Sequence, residues 1–174
     1  MNWNELLESE METAYRATEG LMRRVDDGAL GWKPAQGANW MTTGQLLKHL
    51  TESCGALFRG FVTGDWGFPG DPETGEMSQE AMFPPAESLP SAGSVAEARA
   101  ALAADRELAH RMIAQGADRM DEPTSAPWAP DAPLPLGQQL LAMVNHLNHH
   151  KGQLFYYLKL QGEPVNTLHL YGMA

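Results

Sequence analysis

Residues 136–161, LGQQLLAMVNHLNHHKGQLFYYLKLQ, carry one long apolar stripe at helical spacing together with three of the chain's six histidines. At about 100° per residue, Leu136, Leu140, Met143, Val144, Leu147, Leu154 and Leu158 fall in one arc centred roughly 90° from His146. The stretch is therefore a core-facing helix. On the same wheel His150 lies about 40° from His146, toward the apolar arc, and His149 about 60° to the other side. His146 and His150 form an i, i+4 pair at the edge of the core, whereas His149 points toward water. Two imidazoles so spaced offer two nitrogen ligands to one metal ion, but ordinary polar residues at a helix boundary have the same spacing.

What covers that helix is bounded by size and charge. A chain of 174 residues with 43% hydrophobic content fits one domain, residues 1–174, with a core that needs no disulfide staples. Cys54 is the single cysteine, and the opening MNWNELLESE has neither a basic n-region nor an apolar h-region, so a cytoplasmic protein is expected. No apolar run approaches the ~18 residues of a membrane span. A formal charge of −10 and a pI near 4.9 argue against nucleic acid or an anionic membrane surface as partner, since both select for clustered Lys and Arg. The expected ligand is a small molecule.

Three further helices are predicted. The first covers about 2–25, with Leu6, Leu7, Met11, Tyr15, Met22 and Val25 near helical spacing. The second opens at the capping-box sequence Thr42-Thr43-Gly44-Gln45 and runs unbroken to about residue 62, burying Leu46, Leu47, Leu50, Cys54, Leu57, Phe58 and Phe61, with Gly64 closing it. His49 lies at the border of its apolar arc. The third opens at Ser94-Val95-Ala96-Glu97, another capping box, and closes at Gly116. Between the second and third, residues 64–93 are rich in Gly, Pro and acidic residues and are expected to cross the whole bundle, with a short helical turn at 77–83. Five prolines from Pro123 to Pro135 predict a stiff extended loop before the last helix. There is no period-2 strand signal, internal repeat or glycine-rich phosphate loop. The expected fold is all-α: a four-helix bundle with a long crossover between helices 2 and 3.

LLKHLTE around His49, NHLNHHKGQL in the last helix and the terminal VNTLHLYG together resemble the DinB-like (DinB/YfiT) superfamily. The resemblance spans nearly the whole chain in the order of its elements. It implies a four-helix bundle with a three-histidine divalent-metal site, one ligand from the second helix and two, four residues apart, from the last. Carried onto this sequence the ligands are His49, His146 and His150, the last followed by Lys151-Gly152-Gln153. Lys151 stands where the family commonly has Arg, and His149 is an imidazole that many members lack. The resemblance also implies a homodimer. Characterised relatives include bacillithiol S-transferases and mycothiol-dependent maleylpyruvate isomerase, so the implied function is metal-dependent transfer of a low-molecular-weight thiol to an electrophilic small molecule.

Three neutral imidazoles suit Zn²⁺ or Ni²⁺ and leave a coordination position open. A thiol at that position loses its proton near neutral pH and becomes a nucleophile. Two rival functions remain: a metal-dependent hydrolase, which needs bound water and a base, and a non-catalytic metal- or ligand-binding stress protein. No HExxH motif supports zinc-peptidase chemistry. Candidate catalytic residues are Ser53, His149, Gln153 and Tyr157. Ser53 lies one turn after His49, where a back-bonded serine is the commoner case. His149 could be a fourth ligand or a base, although its wheel position favours solvent. Gln153 and Tyr157 lie about 20° either side of His146 and could reach a ligand or simply line a boundary. Glu52 points away from the apolar arc, Cys54 is a core residue, and His110 has no partner supplied by spacing. Trp40, Trp66 and Trp128 stand in loops that either roof a pocket or cover the ends of the core.

Overall fold

The computed structural model describes residues 2–67 and 82–174, and the described chain is mostly helical with one small two-stranded sheet. Helix α1, Trp3–Met22, starts at a reciprocal cap in which the Asn2 side chain accepts from the Glu5 amide and the Glu5 carboxylate accepts from the Asn2 amide. It buries Leu7, Met11, Ala14, Tyr15 and Leu21, while Leu6 is only half-buried.

The second predicted helix is two helices. Helix α2, Thr43–Leu50, begins at the expected box of Thr42 and Gln45, and helix α3, Gly55–Thr63, ends at Gly64 in the left-handed region with φ 81°. The interruption has a local cause and a distant one. Locally, the Thr51 hydroxyl donates to the Lys48 carbonyl at 2.7 Å and the Ser53 hydroxyl to the His49 carbonyl at 2.6 Å, terminating α2. Cys54 then leaves helical geometry at φ −137°, ψ −72°. The amides that open α3 are received from across the molecule: Asp105 accepts from Gly55 at 3.0 Å through Oδ2 and from Ala56 at 2.8 Å through Oδ1. Tyr15 donates its hydroxyl to the same Oδ2 at 2.6 Å. A side chain at Gly55 would put a Cβ 2.1 Å from the Asp105 carbonyl oxygen, so only glycine permits this approach. The apolar arc of residues 46–61 stays in phase across the break, which is why periodicity did not reveal it.

Asp105 belongs to helix α4, Val95–Gly116. Its predicted capping box is half formed: Ser94 accepts from the Glu97 amide, but the Glu97 carboxylate takes the Gly93 amide instead of that of Ser94. Residues 87–92, ahead of α4, are pinned to the start of α2, where Gln45 Nε2 donates to the Glu87 and Leu89 carbonyls at 3.2 and 2.8 Å and the Ala92 amide to the Gly44 carbonyl at 3.0 Å. The turn expected at 77–83 lies, but for its last two residues, outside the described residues.

The proline-rich loop is an antiparallel ribbon of β1, Pro123–Ala126, and β2, Ala129–Pro135, paired Pro123 to Pro135 and Thr124 to Leu134 with an irregularity before Ala126. The sequence predicted no strand here because most ribbon residues are exposed, so no apolar alternation is required, and its prolines are tolerated only because both strands are edges. Gln139 Nε2 ties the ribbon to the next helix through the Thr124 carbonyl at 2.9 Å. That helix, α5, spans Leu136–Leu160 and buries every residue of the predicted stripe. A final turn of helix, α6, Thr167–Leu170, precedes Gly172, which lies against the Ala17 backbone of α1.

Helix α1 packs on α4 and α5, and α2 and α3 each bridge the same two helices. Leu7, Met11, Leu46, Leu50, Phe58 and Leu147 are fully buried where these elements converge. Among the described residues no helix is long and apolar enough to cross a membrane.

Candidate metal centre

The last turn of α2 and the middle of α5 bring His49, His146 and His150 together. Their candidate ligand nitrogens all lie within 4.8 Å of one another, and no other His, Cys, Asp or Glu among the described residues joins the group. His49 Nε2 is 3.3 Å from His146 Nε2. That separation is the edge of a tetrahedron whose metal–nitrogen bonds are about 2.0–2.1 Å, so the pair already stands at a chelating distance. Ring centroids are 4.3 Å apart for His49 and His150 and 4.8 Å apart for His146 and His150, each pair edge-on and not stacked. The donor set therefore fits a divalent cation, with three nitrogen ligands and room for a fourth group.

The site favours neutral imidazoles. Burial, followed by the charges His150 and His146 would carry, lowers the pKa of His49 to about 3. His146 falls to about 4 through burial and the proximity of His150 and His149, opposed by a hydrogen bond to the Ser53 backbone. His150 is lowered by burial and by His149, against the effect of its bond to Gln153. Unprotonated nitrogens at neutral pH are what a metal requires of its ligands. The helix break contributes to this, because Ser53, which lies in the break with its hydroxyl on the His49 carbonyl, is the residue whose backbone meets His146.

Gln153 and Tyr157, one and two turns beyond His150, form a hydrogen-bonded line with it. His150 Nδ1 is 3.1 Å from Gln153 Oε1, Gln153 Nε2 donates to Tyr157 Oη at 3.1 Å, and Tyr157 donates to the Met41 carbonyl at 2.9 Å. Tyr157 is itself buried, its ring 5.2 Å from Trp32 and 6.4 Å from Trp40, centroid to centroid. Burial raises its pKa against the bond from Gln153. Ser53 is buried with its hydroxyl committed to the His49 carbonyl, and His149 is exposed.

Glu52 is exposed and paired with Lys48, so it offers the site no base. Cys54 is fully buried, its thiol pushed up by burial and by the nearby Asp105 charge, with Tyr15 opposing the shift. His110, for which spacing supplied no partner, lies between Glu8 and Glu12 of α1 at 2.7 Å from each. Trp66 and Trp128 pack with Phe61 as a separate aromatic group, while Trp40 covers Tyr157. Sequence reasoning missed Asp105 and the Met41 carbonyl. Asp105 is buried on α4 and Met41 acts through its backbone, so neither carries a local signal.

The chain belongs to the DinB superfamily, whose profile matches residues 10–154, a span that includes all three clustered histidines and Gln153. Members of this superfamily are often metal-binding. No curated protein and no solved structure matches the chain.

Proposed function

We propose that His49, His146 and His150 hold a divalent metal, Zn²⁺ or Ni²⁺, and that the protein is a metal-dependent enzyme transferring a low-molecular-weight thiol to an electrophilic small molecule. The observation that carries this reading is the convergence of three half-buried, neutral imidazoles from two separated helices, with no carboxylate or thiolate among the described residues to close the coordination sphere. When bound, the cation supplies Lewis acidity that lowers the pKa of a thiol presented to it. The histidines orient that centre, their burial excludes bulk water from one side, and Ser53 and Gln153 hold the rings. Thiol transfer is favoured over hydrolysis because hydrolysis needs a general base, and the carboxylate nearest in sequence, Glu52, is turned outward onto Lys48. In this reading α2 and α3 are two halves of one arm of a four-helix bundle, residues 1–174 act as one domain, and the protein works as a cytoplasmic homodimer on a small molecule and not on nucleic acid or a membrane.

The decisive measurement is the metal content of protein purified without an immobilised-metal column. Wild type should carry a divalent metal, His49→Ala should lose most of it, and metal-loaded wild type should consume thiol with an electrophile panel in a chelator-sensitive way. Metal-free wild type that also fails to take up Zn²⁺ or Ni²⁺ would overturn the reading, as would equal metal content in the variant.

A further inference from the structure

The line of hydrogen bonds from His150 to Met41 has a direction that can be deduced atom by atom. A backbone carbonyl only accepts, so the Tyr157 hydroxyl, 2.9 Å from the Met41 oxygen, must spend its single proton there. Tyr157 Oη can then only accept from Gln153. The atom of Gln153 facing it at 3.1 Å is therefore the NH₂ group, and the amide cannot be turned over without setting two lone pairs against each other. Turned this way, Gln153 offers its carbonyl oxygen to His150, and the ring nitrogen 3.1 Å away, Nδ1, must carry the proton. A neutral imidazole has one N–H, so the lone pair of His150 is on Nε2.

From this we infer that Gln153 is a positioning residue that locks His150 as the Nδ1–H tautomer, and that its own orientation is set through Tyr157 by the carbonyl of Met41. The consequence for the proposed centre, on whose reading the affinity arm below rests, is that Nε2 of His150 is presented as a ligand before any metal arrives. A ring free to exchange tautomers would spend part of its population with the wrong nitrogen protonated. The relay also ties His150 to a loop remote from it in sequence: Met41 immediately precedes the Thr42 cap of α2, the helix that supplies His49. One short segment thus sets the starting point of the helix bearing the first ligand and the proton position on the third.

The test has a spectroscopic arm that needs no metal and an affinity arm that does. Nitrogen-15 shifts of labelled histidine in metal-free protein near neutral pH should show His150 with a pyrrole-type Nδ1 and a pyridine-type Nε2. Gln153→Leu should move that ring toward a mixture of tautomers, and Gln153→Glu, which still accepts from Nδ1–H, should keep the wild-type pattern. Tyr157→Phe frees the Gln153 amide to turn over and should also give a mixture, so it reports on the relay even if Gln153→Leu fails to fold. With Zn²⁺ alone as probe, Gln153→Leu should bind about 10–100-fold more weakly than wild type, the usual effect of removing an outer-shell partner, and Gln153→Glu should restore binding. An Nε2–H tautomer in wild type, or a tautomer unchanged in both Gln153→Leu and Tyr157→Phe, would overturn the inference. Wild type that shows the expected tautomer and its loss in the variants, yet binds no divalent metal, would sustain the relay and sink the metal reading instead.

Discussion

Replacing Asp105 with alanine removes the acceptor that opens α3, and the structure allows the cost to be worked out. The carboxylate, 5% exposed, receives the Gly55 amide, the Ala56 amide and the Tyr15 hydroxyl. Gly55 keeps a weaker contact of 3.2 Å to the Tyr15 oxygen, which leaves the half-buried Ala56 amide and the buried Tyr15 proton without partners. An unsatisfied buried donor costs about 1–3 kcal/mol, and losing a helix cap costs about 1 kcal/mol. Part is offset, because burial raises the pKa of Asp105 against the pull of its hydrogen bonds, so the native carboxylate carries a desolvation penalty that alanine lacks. A net loss of about 3 kcal/mol follows, or roughly 1–2 M in urea midpoint for a chain of this size. Asp105→Asn keeps one acceptor and should lose less than half as much. The sign with pH is set by the raised pKa: the native state binds this proton more tightly than the unfolded chain. The contribution of Asp105 is therefore greatest below its unfolded value and declines as pH rises toward the folded one. The stability gap between wild type and Asp105→Asn should accordingly narrow as pH rises past about 4. Urea unfolding of metal-free protein, followed by circular dichroism, measures all three proteins. If Asp105→Ala stays within about 0.5 kcal/mol of wild type, a change typical of a surface substitution, the capping argument is wrong.

Lys151 is buried on the apolar side of α5 with Asn148 as its hydrogen-bond partner, and burial lowers its pKa. Lys151→Met should stabilise the protein by about 1 kcal/mol near neutral pH. That gain should shrink as pH rises through the lowered lysine value, because the wild-type penalty exists only while the amine is charged; a pH series of thermal unfolding curves checks it. Cys54, enclosed and held as a thiol, should resist an aromatic disulfide reagent in native protein and react fully in denaturant, and stoichiometric labelling of the native state within minutes would contradict its placement in the core.

Much of this architecture can be read from residue spacing, and the exceptions share a physical character. The stripe of α5 and the start of α2 are local patterns, and both survive folding unchanged because the energy that fixes them, apolar burial at a 3.6-residue period and one capping box, is written within a few turns. The wheel separation of His149 from His146 and His150 is of the same kind. The break between α2 and α3 is not. Its decisive partner, Asp105, is about fifty residues away in sequence, and the hydroxyls of Thr51 and Ser53 look like any helical serine or threonine until that partner is in place. The ribbon escaped notice for the opposite reason: a mostly exposed hairpin needs no alternation, so prolines that read as a loop are compatible with paired edges. The meeting of His49 with the other two rings was implied by family resemblance and not by spacing, since no local rule relates residues 97 apart.

The shortness of α2 has an outcome for what holds the three imidazoles together. Eight residues are too few to hold a helix alone in water, and this one is clamped at its start by the Glu87 and Leu89 carbonyls and followed at its end by a turn that α4 secures. The position of its histidine therefore depends on distant parts of the chain and not on α2 alone. The spacing of His146 and His150 is set within one helix, whereas the third ring comes into register only through contacts made far along the chain, so the grouping of three imidazoles is a property of the completed fold.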